Sequence, residues 1–306
     1  MTVQGPETYN IVAFDAVVQH EFQQMTSKLY PYVNVQTLNA AQQTINDIGS
    51  VEMKEANGRY QPIVFDKINH GRRGVGRKEY AIDLPIDAKD ARVTLVNHAT
   101  EYAKAIVNAA KRQIDRIIYN AMFAPVQMWS TDSNGVSVPF GAPIAFEADG
   151  GITTDATAGL TYQTFVDVRR DFVNHDVDLE AEQLVFCGTG DEMAALMNEL
   201  KFLSADYSNQ GVVDKGTLTK ANGVDCKWFA ADASIPVIPV NANGQRECAM
   251  FVSKGITLAV NKDVTINVKD RPDLRDVQQI SASLSMGAVR NKKGTVHKVL
   301  TTPVNA

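Results

Sequence analysis

The stretch HATEYAKAIVNAAKRQIDRIIYNAMFAP, residues 98–125, carries the strongest local pattern in the chain. At about 1.5 Å per residue, its roughly 26 helical residues predict a rod of about 40 Å, long enough to brace a sheet or bridge parts of a molecule. Pro125 ends the pattern. The predicted apolar stripe consists of Ala103, Ile106, Val107, Ala110, Ile114, Ile117, Ile118 and Ala121. The predicted polar face consists of Lys104, Lys111, Arg112, Asp115 and Arg116.

A basic stretch, KINHGRRGVGRKEY at 67–80, precedes this helix. Strand patterns flank it, PIVF at 62–65 before it and an alternating run at 79–86 after it, so we expect the basic stretch at the tip of a long hairpin. Pro85 predicts that the hairpin is a sheet edge or a free-standing ribbon. Because two strands alone are marginally stable in water, the ribbon needs another surface to lie on. Its cations are Lys67, Arg72, Arg73, Arg77 and Lys78.

The N-terminal region has a different character. FDAVVQHEFQQMTSKLY at 14–30 has apolar residues at helical spacing and predicts an amphipathic helix. VNVQTLNAAQQTINDIGS at 33–50 is polar, shows little periodicity and is typical of a segment that lies extended on another surface. We therefore interpret residues 1–48 as an arm.

The second half of the chain alternates between helix and strand patterns and predicts a mixed α/β region. Loop-rich residues 126–160, around a short VPFGAPIAF strand, mark its boundary. A T-x-x-E capping box at Thr189 and Glu192 begins a helix. The other predicted elements are a helix in LTYQTFVDVRRDFV, strands in EQLVFCG, VDCKWFA, IPVIPV and ECAMFV, long strands at 256–268 and 280–288, an NKKG turn at 291–294 and a strand in TVHKVLTT.

Opposite charges lie in different parts of the chain. Residues 171–199 hold eight acids and no Lys or Arg, whereas residues 67–78 hold five cations and no acid. Such patches favour head-to-tail association between copies, in which the basic stretch of one meets acids of the next. The candidate acidic counterparts are Asp176, Asp178, Glu180 and Glu182.

No pattern in the sequence predicts a catalytic, cofactor-binding or metal-binding residue. The glycines of GRRGVG and CGTGDEM do not fit a nucleotide-binding loop, and the five histidines lack zinc-site spacing. The net charge of -5 argues against a protein that coats nucleic acid. The N-terminus lacks a secretion signal and no apolar run is long enough to span a membrane, so we expect no membrane partner and synthesis in the cytoplasm. Cys187, Cys226 and Cys248 are expected to be buried and reduced.

The succession of elements resembles the major capsid proteins of tailed bacteriophages, which have the Hong Kong 97-type fold. The resemblance implies an α+β fold with an N-terminal arm, an extended β-hairpin loop, a long spine helix with a peripheral β-sheet and a mixed α/β axial domain. It divides the chain into an arm (1–48), an extended loop (49–93), the spine helix with the first peripheral part (94–155), an axial domain (156–258) and closing peripheral strands (259–306). Ile106, Ile114, Ile117 and Ile118 would be the apolar side of the spine helix.

The resemblance also implies a function, in which pentamers and hexamers of the chain build the icosahedral head shell around double-stranded DNA. The extended loop would reach across a neighbouring subunit, so its cations would meet acids of another copy. Because the sequence has no long coiled-coil prefix, we expect a separate scaffolding protein, together with a portal. The DNA would be enclosed without specific binding, and the shell, assembled in the host cytoplasm, would become the virion capsid. The protein would not be an enzyme.

Three alternatives remain at this point. An encapsulin-like cellular shell would use the same fold to enclose an enzyme in place of a genome. A nucleic-acid-binding protein would use the basic loop at 67–78 to contact phosphates, with binding that weakens as salt rises. An enzyme whose site is assembled from residues distant in the sequence would leave no local motif.

Overall fold

The computed structural model describes residues 24–49, 51–53, 55, 65–66, 68, 70–86, 98–132, 137–157, 159–199, 218–231, 235–274 and 277–302. Their α-helices are α1 (His98–Phe123), α2 (Tyr162–Asn174) and α3 (Gly190–Met197). Their strands are β1 (Asn34–Thr37), β2 (Gln42–Ile48), β3 (His70–Gly76), β4 (Lys78–Ile86), β5 (Trp129–Thr131), β6 (Ser137–Pro139), β7 (Ile152–Ala156), β8 (Leu184–Thr189), β9 (Lys220–Ala221), β10 (Val224–Phe229), β11 (Arg246–Val252), β12 (Ile256–Arg271), β13 (Val277–Arg290) and β14 (Val296–Thr301).

The strands form two larger sheets and two ribbons. One sheet has the order β1-β12-β13-β4, and β1 runs parallel to β12 with Val35 opposite Leu258. The other has the order β7-β14-β11-β8-β10-β9, with parallel pairs at β7–β14 and β8–β10 and antiparallel pairs at β14–β11 and β11–β8. The ribbons are β2–β3 and β5–β6, both antiparallel. This is the predicted mixture of sheets and a few helices.

Helix α1 spans the residues that the sequence pattern predicted, since no Gly or Pro interrupts residues 98–123. Ile106, Ile114, Ile117 and Ile118 are all buried, which confirms the apolar stripe. The prediction that Asp115 belongs to the polar face is wrong, because its side chain is fully buried. The C-terminal half of α1 therefore buries more of its circumference than the stripe alone predicted.

The contacts divide the chain into two compact units. Unit 1 comprises Met1–Thr26, Glu79–Lys111 and Lys262–Leu284, and unit 2 comprises Ser27–Lys78, Arg112–Asn261 and Ser285–Ala306. In unit 1, the long antiparallel arms of β12 and β13 pack with α1 around Ile106, Ile280 and Ala282, joined by Leu84, Tyr102 and Ile266.

Two apolar clusters lie among the described residues of unit 2. The larger lies where α2 and α3 cover the six-stranded sheet, and it includes Phe165, Phe172, Phe186, Leu196 and Met250. Strand β8 is buried at every position, as a strand in the middle of a covered sheet must be. The capping box at Thr189 and Glu192 is present as predicted at the start of α3. The smaller cluster contains Leu38, Val75, Val126, Ala259 and Val289.

Three sequence predictions differ from the structure. Residues 24–29, the end of the predicted N-terminal helix, are not helical, and the rest of that helix lies outside the described residues. IPVIPV at 235–240 is not a strand: its β-pairing is a single bridge between Val240 and Arg246, because two prolines interrupt the ladder hydrogen bonds. The third difference concerns the hairpin, whose strands are β2 and β3, so that residues 70–76 are one of its strands and not its tip. The flanking PIVF segment falls mostly outside the described residues.

Gly74 in β3 provides a test of this packing. A Cβ at Gly74 would lie 1.9 Å from Nε1 of Trp129, whereas a Cβ at Gly71 would have its nearest neighbours at 3.7 Å. We expect Gly74→Ala to lower the free energy of unfolding by about 1–3 kcal/mol, because the indole ring must move, and Gly71→Ala to change it by about 0.5 kcal/mol or less. Denaturation of both variants measures the difference, and equal midpoints would contradict this account of β3.

Candidate assembly surface

The basic stretch lies on a strand with two different faces. In β3, Arg73 and Val75 point into unit 2 and are buried, while Arg72 points outward and is half-buried. All seven residues of β3 pair with β2, in a register that puts Arg72 opposite Asn46. Because side chains alternate along a strand, two neighbouring arginines of the same sequence motif have opposite environments.

Arg73 is an internal residue. Its Nη1 donates to Oδ2 of Asp149 at 2.6 Å and its Nη2 donates to Oδ1 at 2.9 Å, a bidentate pair. The side chains of both residues are about 98% or more buried. Arg73 is therefore not available to acids of another copy or to phosphates, and its assignment to the inter-subunit set is wrong. Burial decides this, since the pair would have to be broken in a dry environment.

The other cations lie at or near the surface. Arg72 donates to Oγ1 of Thr131, and Nη1 of Arg77 donates to Oδ1 of Asn261 at 2.5 Å. Lys78 is exposed at the first position of β4. Lys67 lies outside the described residues. Three of the five predicted cations thus remain candidates for contacts with other copies within the described part of the chain.

The candidate acids form an exposed turn after α2. The helix ends at Asn174 with His175 as its C-cap, and Asp176 adopts a positive φ of 61°, which Asp tolerates better than most residues. The carboxylate of Asp178 accepts hydrogen bonds from the backbone N–H groups of Glu180 and Ala181, at 3.0 and 3.3 Å. Asp178 thereby holds the turn in shape.

All four acids, Asp176, Asp178, Glu180 and Glu182, are exposed. Among the residues that the structure describes, no ion pair joins them to Arg72, Arg77 or Lys78. The two charged sets are therefore not neutralised by each other inside one subunit.

Sequence reasoning missed an apolar surface on the β2–β3 connection. Five large apolar side chains there are exposed, and two of them almost completely, Met53 at 102% and Phe65 at 88% of their reference surface. The other three are Ile48, Val51 and Ile68. An isolated exposed apolar residue is ordinary, but several on one connection indicate an interaction surface. The available signal was the apolar residues among polar ones in VEM at 51–53, within the predicted extended loop, and in PIVF at 62–65, which was predicted to be a strand.

Asp115 anchors the segment that leads out of unit 2 toward the N-terminus. Its buried carboxylate accepts a hydrogen bond from Oγ of Ser27 at 2.5 Å and from the backbone N–H groups of Lys28 and Leu29, each at 3.1 Å. Leu29 is fully buried beside it. Burial lowers the pKa of Lys28, whose Nζ donates to the carbonyl of Trp228. Helix α1 thus fixes residues 27–29, the first residues of unit 2, through Asp115.

His297 is a buried titratable group close to the acidic turn. Its Nε2 lies 2.6 Å from Oγ1 of Thr154, and its ring packs against Phe172. Desolvation lowers its pKa to about 4; Asp171 opposes this shift and His175 adds to it. A lowered pKa in the folded state means that the neutral ring contributes stability above pH 6.5, which is lost as the pH falls toward 4.

The three cysteines are buried and free, as predicted. Burial raises the pKa of each thiol, that of Cys226 to about 12, so they are poor nucleophiles at neutral pH. Within the described residues, no cluster of three or more His, Cys, Asp or Glu side chains could hold a metal ion. None of the helices described is long and apolar enough to cross a membrane.

Replacement of His297 by Gln tests the origin of the acid sensitivity. Gln can keep a hydrogen bond to Thr154 but cannot become charged, and at about 1.4 kcal/mol per pKa unit the shift from 6.5 to about 4 corresponds to a lost sensitivity of about 3 kcal/mol. We expect His297→Gln to unfold with a flatter pH dependence than the parent between pH 6.5 and 4, in urea titrations at several pH values. His70→Gln, at an exposed position of β3, is the control and should keep the parental slope. An unchanged slope in His297→Gln would show that other groups cause the acid sensitivity.

Comparisons with known proteins bear on what this surface does. A family model described as "Phage capsid protein" matches residues 6–302. The chain is similar to the capsid protein of cyanophage Pam1, with a TM-score of 0.69, 13% identity and 100% of each chain covered. It is also similar to the capsid of cyanophage P-SCSP1u, with a TM-score of 0.68, 11% identity and coverage of 99% of this chain and 96% of that one.

A third similar structure is the mature capsid of bacteriophage PhiM1, with a TM-score of 0.66 and 14% identity over 94% of this chain and 91% of that one. No curated protein sequence matches the chain significantly. At identities of 11–14%, the structural similarity shows a shared fold. The family model matches nearly the whole chain.

Proposed function

The chain belongs to the phage capsid protein family, and from that premise we propose which of its surfaces join one copy to the next. The predicted resemblance, the Hong Kong 97-type fold class and the major capsid function are confirmed by the family match and the full-length structural similarity. The protein self-assembles into the shell of a phage head. Contacts between copies hold that shell together.

The exposed apolar connection between β2 and β3 is the principal contact with a neighbouring copy. The observation that carries this proposal is the near-complete exposure of Met53 and Phe65, with Ile48, Val51 and Ile68 also exposed. Burying one side chain of this size contributes about 1.5–3 kcal/mol. A soluble monomer would gain nothing from presenting five of them together, so we infer that another copy covers them.

Ion pairs between copies supply direction more than affinity. Arg72, Arg77 and Lys78 on one copy would face the acidic turn at 176–182 of another. Each exposed pair contributes only about 0–1 kcal/mol, less than a single buried Phe, but charge complementarity selects one docking register over others. A subunit held by several weak contacts at once gains avidity, and a misplaced subunit can still leave.

The remaining roles in head assembly follow the family and the charge of the chain. We propose that the arm at 1–48 contacts a neighbour and that the other divisions, 49–93, 94–155, 156–258 and 259–306, act as the loop, spine and two domains named above. A separate scaffolding protein and a portal would direct assembly in the host cytoplasm. The net charge of -5 supports enclosure of DNA without tight binding, since an acidic wall repels phosphates. No catalytic step is part of this role.

Charge reversal tests the directional role of the cations. We expect Arg72→Glu, Arg77→Glu and Lys78→Glu together to leave the far-UV circular dichroism and thermal midpoint close to the parental values, because these residues lie outside the buried clusters. Assembly should fall at least tenfold in yield of closed particles, counted by electron microscopy. Adding Glu180→Lys and Glu182→Lys, which leaves Asp178 to hold the turn, should restore particles. A parental yield from the triple variant would refute the charge role.

Removal of the exposed apolar surface tests the principal contact. Met53→Ser with Phe65→Ser should give a soluble, folded subunit that remains unassembled at concentrations where the parent forms shells, as measured by analytical ultracentrifugation. Val268→Ser is the matched control, since Val268 is 54% exposed on β12 and belongs to none of the proposed contacts. The control should assemble like the parent. Normal shells from the double variant would mean that the β2–β3 connection does not carry the contact.

A further inference from the structure

The ribbon formed by β2 and β3 has few backbone contacts with the rest of unit 2. Among the described strands, it is not a member of either larger sheet, and it pairs only with itself apart from a single bridge between Arg73 and Met128. One further backbone hydrogen bond runs from Gly74 N–H to the carbonyl of Gln127, at 2.9 Å. Because a two-stranded ribbon does not define its own orientation, side chains of its inner face must do so.

Arg73 is the inner side chain with the most directional contacts. Besides its bidentate pair with Asp149, its Nη1 donates to the carbonyl of Arg290 at 3.3 Å. Arg290 in turn places its Nε and Nη2 3.4 Å from Oδ2 of Asp149 and donates through Nη1 to the carbonyl of Met122, at 2.6 Å. Arg73, Asp149 and Arg290, called here the buried ion cluster, thus join β3, the 145–151 turn, β13 and the last turn of α1.

The acceptor of this cluster, the carboxylate of Asp149, is held in place by contacts within its own turn. Backbone hydrogen bonds run from Asp149 N–H to the carbonyls of Ala145 and Phe146, at 3.0 and 3.2 Å. Gly150 adopts a positive φ of 77°, and a Cβ at Gly151 would lie 2.5 Å from the ring of Phe146. The turn therefore presents its carboxylate in a fixed direction, and a planar guanidinium can meet it in only one orientation.

The charges of the cluster predict different effects for the removal of Asp149 and for the removal of Arg73. Two guanidinium groups share one carboxylate, so the cluster carries one net positive charge in a buried site. Removing Asp149 would leave two buried cations without an anion, which is strongly destabilising. Removing Arg73 leaves one guanidinium and one carboxylate, Arg290 and Asp149, which neutralise each other, so no unpaired charge stays buried and the loss of stability should be smaller than on removal of Asp149. Substitution of Arg73 can therefore remove the directional contact while the subunit keeps its fold.

We propose that Arg73 is a positioning residue: through the buried ion cluster, it fixes the direction in which the β2–β3 ribbon extends from the rest of unit 2. That direction in turn sets the angle at which the apolar connection of the ribbon meets a neighbouring copy. The second part rests on the proposed assembly function, whereas the first concerns the subunit alone. The consequence for a shell is geometric. A ribbon free to swing would still bind neighbours, but at varied angles, and closed particles of one size need a constant angle.

Spin labels on the free subunit test the first part directly. Labels at Asn46→Cys on β2 and Asn174→Cys at the end of α2 report the ribbon direction within unit 2, and the three native thiols are too deeply buried to compete. Pulsed electron resonance should give one narrow distance in the parent and a distribution at least twofold broader in Arg73→Met. Arg170→Met, at a 63% exposed side chain on α2, is the matched control and should keep the parental distribution.

Further variants keep the proposal falsifiable if Arg73→Met does not fold. Arg73→Lys keeps the charge but loses the bidentate geometry and should broaden the distance distribution to an intermediate degree. The exchange Arg73→Asp with Asp149→Arg preserves the net charge and should restore a narrow distribution. Distributions as narrow as the parental one in both Arg73→Met and Arg73→Lys would overturn the proposal.

Electron microscopy of assembled particles tests the second part. Arg73→Met should still form particles, with a spread of diameters and open or irregular shells, whereas the parent gives one diameter. Uniform parental shells from Arg73→Met would overturn the link between the ribbon direction and shell geometry. If the parent itself formed no shells, the proposed assembly function would fail while the spin-label result would stand, so the two failures are distinguishable.

Discussion

The burial of Arg73 against Asp149 is the interaction on which the attachment of the β2–β3 ribbon depends. A charged side chain enters a dry site only when its partners are in place, so the pair requires β3, the 145–151 turn and β13 to be assembled together. The backbone geometry supports the same contact, since a Cβ at Gly287 would lie 2.1 Å from the carbonyl oxygen of Gly76. At that point, β13 and the end of β3 touch without any side chain between them. Val75 and Val289 complete the contact in the smaller apolar cluster.

Much of the architecture could be predicted because local patterns and burial agree. In α1 and in the strands at 256–271 and 277–290, one periodicity runs for long enough to exclude the alternatives, and the structure follows it. The capping box at Thr189 is a purely local device and was equally readable. Major capsid function was implied by the succession of these elements and not by any one of them.

The assembly surface could be predicted only in part, for a physical reason. A run of cations looks uniform in a sequence, but alternation along a strand sends Arg72 outward and Arg73 inward, and only the position of Asp149, 76 residues away, decides which is neutralised. Asp115 was misplaced because its partners, the N–H groups of Lys28 and Leu29, carry no signature in the sequence. Phe65 lies in a segment whose apolar run predicted a strand, and Met53 is a single apolar residue among polar ones, so neither indicated an exposed surface.

The central claim is that β3 is fixed within its own subunit while the apolar connection is uncovered until assembly, and hydrogen–deuterium exchange compares the two segments directly. Amides of β3 that bond within the subunit, such as that of Gly74, should already be protected in the free protein, because their acceptors belong to the same chain. Amides around Val51, Met53, Phe65 and Ile68 should exchange quickly in the free subunit and become protected in assembled shells. Equal exchange of these connection amides in subunit and shell would contradict the account.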